Sequence, residues 1–221
     1  DRVEFDIKAN DTFPNRVNLN GVCSFYPDST QLKVLNSSIL VNGKKWDIPS
    51  TNSFVIKRHS FIANDFVLQH EDQKVSLNSN FDIDSTEALK IQLLNVDLAD
   101  FSNTFQIAGY TFKGRVFGSV ELFNPLEADA FTGYFSIQEF SIDDDTIGKL
   151  TIKASQLDTN KSIHLRAELV NNDQKIEING DYRYNRKDTL TKKFADQIDF
   201  KIGFENYPLK IAELFLPHDI S

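Results

Sequence analysis

The stretch "TFKGRVFGSVEL" (residues 111–122) decides the fold class. Phe112, Gly114, Val116, Gly118, Val120 and Leu122 share one side of a two-residue repeat, and Lys113, Arg115, Ser119 and Glu121 share the other. Successive side chains of a strand point to opposite faces, so this alternation describes a strand with one dry face and one wet face. The pattern recurs along the chain. "TGYFSIQEF" (132–140) aligns Gly133, Phe135 and Ile137, and "GKLTIKA" (148–154) aligns Leu150, Ile152 and Ala154. "KSIHLRAEL" (161–169) aligns Ile163, Leu165, Ala167 and Leu169, while "QIDFKIGFEN" (197–206) aligns Ile198, Phe200, Ile202 and Phe204.

Turn signals separate these runs at short intervals, among them "VNGKKW" (41–46), "HEDQK" (70–74), "IDDDT" (142–146) and "VNNDQK" (170–175). Asn42-Gly43 is a strong hairpin signal, because a tight hairpin needs residues that accept positive φ. Short links between successive strands predict an all-β, antiparallel, up-and-down meander. Two segments leave the alternation for helical spacing, "VDLADFSNTF" (96–105) and "YPLKIAELFL" (207–216), and each is read as a short helix following an Asn.

The chain also repeats itself. "HEDQKVSLNSNFDID" (70–84) is echoed by "NNDQKIEINGDYRYN" (171–185). Asp72, Gln73, Lys74 and Asn78 return as Asp173, Gln174, Lys175 and Asn179, and Val75, Leu77 and Phe81 as Ile176, Ile178 and Tyr182. Other features return in the same order: a Gly, an aromatic and a Pro in "NGVCSFYP" and "FGSVELFNP", then "FVIK" and "LTIK". The expected organisation is an N-terminal edge strand over 1–15 continuing from an upstream region, a first repeat over 16–111 and a second over 112–221. The first residue is Asp1 rather than Met, and the chain is read as a piece of a longer protein.

Composition narrows the function. The 221 residues are 40% hydrophobic, with 19 Phe, one Trp and no Met, and the formal net charge is −8. A nucleic-acid partner would require a basic surface to displace counterions, and the balance here is acidic. No run approaches the roughly 18 apolar residues of a membrane-spanning helix, and no signal-peptide pattern opens the chain. The single Cys23 shares the apolar register of Val17, Leu19 and Phe25 and reads as a small hydrophobe.

Catalytic patterns are missing. His59, His70, His164 and His218 lie in unrelated contexts without metal-like spacing. Asp143, Asp144 and Asp145 precede Gly148 as a turn would and lack the spacing of a calcium loop. The glycines of "AGYTFKGRVFGSV" precede no helix and no phosphate-binding Lys, and no GxSxG elbow occurs. The expectation is a non-enzyme with no cofactor and no metal.

The ordered series in "NVDLADFSNTFQIAGYTFKGRVFGSVELFNPLEADAFTGYFSIQEFSID" and "IGKLTIKASQLDTNKSIHLRAELVNNDQKIEINGDYRY" resembles the repeating β region of the TamB family of translocation and assembly module proteins, within the wider AsmA-like group. The resemblance covers roughly residues 16–221 and rests on glycine, proline and alternation rather than on an invariant motif. It implies an elongated, curved antiparallel sheet, a taco-like trough with an apolar interior. It further implies an inner-membrane anchor in the full protein and a periplasmic location. The implied work is phospholipid transport between inner and outer membranes, outer-membrane protein assembly with an Omp85-type barrel, or both.

On that reading the groove lining, contacting phospholipid acyl chains, comprises Val75, Leu77, Phe81, Phe112, Val116, Val120 and Leu122. It continues through Phe135, Ile137, Leu150, Ile152 and Leu165, and then Ile176, Ile178, Tyr182, Ile198, Phe200, Ile202 and Phe204. Gly114, Gly118 and Gly180 are expected to make room for acyl chains or to permit curvature. The rival readings are a structural or adhesive extracellular β repeat, and a small lipid-binding β enzyme or carbohydrate-binding module, for which last Trp46 is the one tempting platform.

Overall fold

A computed structural model of the chain describes residues 1–10, 15–80, 88–101, 110–126, 130–156, 162–184 and 197–206, and the backbone alone of residues 81 and 87. The described residues form one antiparallel sheet of sixteen strands that does not close into a barrel. The first eight strands are β1 (Arg2–Asn10), β2 (Arg16–Phe25), β3 (Ser29–Val34), β4 (Ser37–Val41), β5 (Lys44–Ile48), β6 (Ser53–Lys57), β7 (Ser60–Asn64) and β8 (Phe66–His70). Eight longer ones follow: β9 (Gln73–Phe81), β10 (Glu87–Asp97), β11 (Phe112–Phe123), β12 (Ala130–Ile142), β13 (Asp145–Gln156), β14 (Ser162–Asn171), β15 (Gln174–Arg183) and β16 (Gln197–Glu205).

From β8 onward every strand pairs with its sequence neighbour. The earlier strands run in the spatial order β8-β5-β4-β2-β3-β6-β7, which suggests crossovers. The register removes them. β4 pairs with the Arg16–Asn18 end of β2 and β3 with its Gly21–Phe25 end, both antiparallel, so β3 and β4 lie end to end. β5 and β6 lie end to end against them, and β7 and β8 continue one another across Asp65 alone. Each of these three pairs is one long strand interrupted once. Sixteen strands less three joins leave thirteen in a plain meander: β1, then six strands between residues 16 and 97, then six between 112 and 205.

The interruptions have local causes. Pro49 has no N–H to donate to a ladder, and Asp65 sits at φ 49°. Side-chain amides and hydroxyls replace the missing backbone bonds. The fully buried Asn52 accepts from the Val34 N–H (2.9 Å) and donates through Nδ2 to the carbonyls of Val34 (3.0 Å) and Pro49 (2.7 Å). Ser79 Oγ accepts from the Ala63 N–H (3.0 Å), and Asn78 Oδ1 from the Asp65 N–H (2.6 Å), which ties β7 to β9.

A second line of irregularity crosses β10 to β13. Registers shift between Leu93 and Val96, between Lys113 and Arg115, and around Phe140. Asn95, Gly114, Glu139 and Gly148 have positive φ along this line. Bulges bend and twist the strands that carry them. Here they turn Phe112, Phe140, Ile142 and Ile147 into the cluster formed by Val116, Ile137, Leu169 and Ile176, with the Phe112 and Phe140 rings stacked at 6.1 Å.

Segment 96–105 departs from its expected helix. Val96 and Asp97 stay in the ladder opposite Val116 and Arg115, and Leu98–Phe101 makes one 3-10 turn. The rest of that segment, and the helix expected over 207–216, lie outside the described residues.

The chain exposes 14880 Å², against roughly 10,000 Å² for a compact protein of its 25.2 kDa.

Candidate functional site

Residues directly opposite each other on neighbouring strands share a face, so the register turns the alternating residues into rows that run across the sheet. One row runs from Val96 through Val116, Ile137, Leu150 and Leu169 to Ile176 and Phe204. The next begins at Leu68 and passes Val75, Leu93, Gly118 and Phe135, then Ile152, Ala167, Ile178 and Ile202. A third starts at Phe66 and passes Leu77, Ile91, Val120 and Gly133, then Ala154, Leu165, Gly180 and Phe200. In the fourth, Leu89 meets Leu122 and Phe131, and Ile163 meets Tyr182 and Ile198.

Every expected lining residue but two falls in these four rows. Phe112 lies past the bulge and packs on the same cluster. Phe81 pairs with Glu87 through its backbone, and its side chain lies outside the described set.

Exposure is graded across the rows. Val116, Ile137, Leu169 and Ile176 are buried beneath the bent strand ends. Val75, Phe135, Ile152, Ile178, Val120 and Leu165 are half-buried. On the last strand Ile198 is 68% and Ile202 52% exposed, while Phe200 between them stays half-buried. From β9 to β16 there are seven steps of about 4.8 Å, an apolar strip roughly 34 Å long.

Glycines at 21, 118 and 180 each lie directly opposite a phenylalanine, namely Phe5, Phe135 and Phe200. A Cβ at each would meet that ring within 2.7 Å. The space expected to accept acyl chains at Gly118 and Gly180 is therefore taken by a neighbouring ring. Gly114 instead serves the bulge, at φ 139°.

The opposite face is polar and carries cross-strand ion pairs: Lys90 with Glu121 (3.3 Å), Arg166 with Glu177 (2.8 Å) and Lys175 with Glu168 (3.0 Å). Glu168 first, and then Glu177, hold the Lys175 ammonium above its ordinary pKa by hydrogen bonding. His164 Nδ1 lies 3.1 Å from Asp181, and His70 Nδ1 lies 2.8 Å from the Lys45 carbonyl. No group of three metal-ligating side chains occurs among the described residues. No described helix is long and apolar enough to cross a membrane.

The echoed Asp-Gln-Lys turns both meet an Asn near the end of the second strand after them, β10 or β16. Asn95 Nδ2 donates to the Asp72 carboxylate (2.5 Å), and Asn206 Nδ2 donates to the Asp173 carbonyl (3.2 Å). Both asparagines adopt positive φ.

Gln73 is buried. It accepts from the Asp97 N–H (2.7 Å) and donates to Asp100 Oδ2 (2.9 Å), while the Lys44 ammonium donates to Asp100 Oδ1 (2.5 Å). This network seats the 3-10 turn, whose Phe101 ring stands 5.7 Å from Trp46. Trp46 is completely buried, which removes it as a carbohydrate platform. Asp100→Ala leaves Lys44 and Gln73 without their acceptor, at a cost of about 1–3 kcal/mol. Loosening the turn over the only tryptophan should shift its fluorescence to the red and raise its acrylamide quenching.

Comparison with protein-family models, with curated proteins and with solved structures finds no match to this chain.

Sequence reading missed Leu89, Ile91 and Leu93. In "EALKIQLLNVD" they alternate correctly, but Ala88 and Leu94 add apolar residues in the opposite phase and blur the period.

Proposed function

We propose that the chain is a section of a TamB-like periplasmic conduit whose apolar face solvates phospholipid acyl chains passing between membranes. The observation that carries this reading is the set of apolar rows crossing β9 to β16 on one face, set against ion pairs on the other. A lipid tail crossing water loses about 0.8 kcal/mol for each exposed methylene. A surface that carries it needs length and continuity more than specific polar contacts. A strip of roughly 34 Å exceeds the ~15 Å that one acyl chain spans in half of a ~30 Å bilayer core. The mechanism is passive, without cofactor or covalent step. In the intact envelope protein this surface would be coupled to an Omp85-type barrel.

Two measurements test the proposal. Native mass spectrometry of the purified chain should show bound phospholipid. A photo-reactive residue at Ile178 or Ile152 should crosslink to lipid, while one at Thr151, on the polar face opposite Glu168, should not. Ile152→Lys should reduce co-purified lipid at least about tenfold, because it sets a charge among acyl chains, and Thr151→Lys should leave it unchanged. Equal crosslinking from both faces, or no lipid in repeated preparations, would sink the conduit in favour of a structural β repeat.

A further inference from the structure

The ion pairing that joins strands on the polar face stops at β16. Lys201 stands opposite Asn179, and Asp199 stands opposite Asp181, a like charge. Among the described residues neither Lys201 nor Asp199 has an ion-pair partner. Both are exposed, as are Ile198, Ile202 and Phe204, and no described strand pairs with the outer edge of β16. The other edge differs. On β1 the charges are already satisfied within the strand, by Arg2 with Glu4 and Lys8 with Asp6, each at 2.9 Å.

We propose that β16 is the seam of a twofold-symmetric dimer, with two copies pairing antiparallel about Phe200. In that register Asp199 of each copy faces Lys201 of the other, twice across the axis. Ile198 faces Ile202 on the apolar side, twice, and Phe200 faces itself. The apolar face of one copy thus continues into that of the next.

The neighbouring registers that keep the faces aligned fail on charge. Centring on Asp199 sets two carboxylates opposite each other, and centring on Lys201 sets two ammonium groups opposite each other. Cross-strand like charges destabilise a pair and opposite charges support it. A half-step register would put apolar residues against polar ones.

Joining β16 to β1 of another copy is the competing arrangement. The meander has an odd number of strands, so β1 and β16 run in the same direction. That junction would be parallel, which is weaker per residue, and would grow without closing. One strand pair is small beside the roughly 1,600 Å² of a standard interface, so the dimer should dissociate in the micromolar range. This inference is independent of the lipid reading.

Sedimentation velocity over a concentration series tests it. The wild-type chain should rise from 25.2 kDa towards twice that mass and stop there. Asp199→Lys alone, or Lys201→Asp alone, places like charges opposite each other twice and should weaken association at least about tenfold. An equimolar mixture of the two variants restores both attractive pairs and should recover the dimer. That recovery also shows that each variant is folded. A wild-type chain that stays monomeric, variants that associate as well as wild type, a mixture that fails to recover, or open-ended oligomers would each overturn the proposal.

Discussion

Gly148→Ala is expected to lower the unfolding free energy by about 3 kcal/mol or more. Two penalties combine. Gly148 adopts φ 132°, a conformation that side chains with a Cβ avoid, and the new Cβ would lie 2.3 Å from the Val170 carbonyl oxygen. That oxygen belongs to β14, which β13 pairs through seven consecutive residue pairs from Lys149 to Ser155. The methyl group cannot be accommodated by a rotating side chain, so the β13–β14 ladder must part at its end. Urea unfolding should move to a lower midpoint by about 1 M or more, given the usual slopes. Gly43→Ala is the control for glycine loss itself. Gly43 also has positive φ, but nothing lies within 4 Å of its Cβ position, so its penalty is conformational alone and should be clearly smaller.

The second large effect is at Asn52, whose amide makes three hydrogen bonds from a site with no exposed surface. Asn52→Ala leaves the Val34 N–H and two carbonyls unpaired in the interior, and should cost about 2–4 kcal/mol. Asn52→Asp should be worse at neutral pH despite its nearly identical shape. The Nδ2 position, which donates to the carbonyls of Val34 and Pro49, becomes an oxygen facing two oxygens, with a buried negative charge added. Equilibrium unfolding of the two variants side by side distinguishes the causes. If Asn52 merely filled space, the aspartate variant would be the milder of the two.

Both positions sit on the interruptions and bulges, and these are where sequence reading gave least. The alternation of "KSIHLRAEL" and "QIDFKIGFEN" reports strand, face and sheet type correctly, because a period of two is a local property of the backbone. The same reading makes "VDLADFSNTF" helical from the spacing of Leu98 and Phe101. It cannot see that Val96 and Asp97 are held in the ladder by Val116 and Arg115, residues that approach only when β11 returns alongside. The glycines show the same limit. Their sequence positions suggest open space, yet the rings of Phe135 and Phe200 fill it, because cross-strand register decides which residue faces which.

The candidate face was legible as a set of residues and illegible as a surface. Val75, Ile152 and Ile178 could be assigned to the apolar side from alternation alone, but not to a common row. That Trp46 is sealed beneath a 3-10 turn while Ile202 stands exposed follows from where the turn folds back and where the sheet ends.

The sequence by itself therefore determined the strand class, the antiparallel meander and the two-sided character of the sheet, since each depends on residues close along the chain. Only the tertiary structure decided that three long strands are broken between Val34 and Ser37, at Pro49 and at Asp65, that bulges bend one margin inward, and which apolar rows stay open. Those outcomes depend on carbonyls and side chains brought together from strands distant in sequence, and no local period records them.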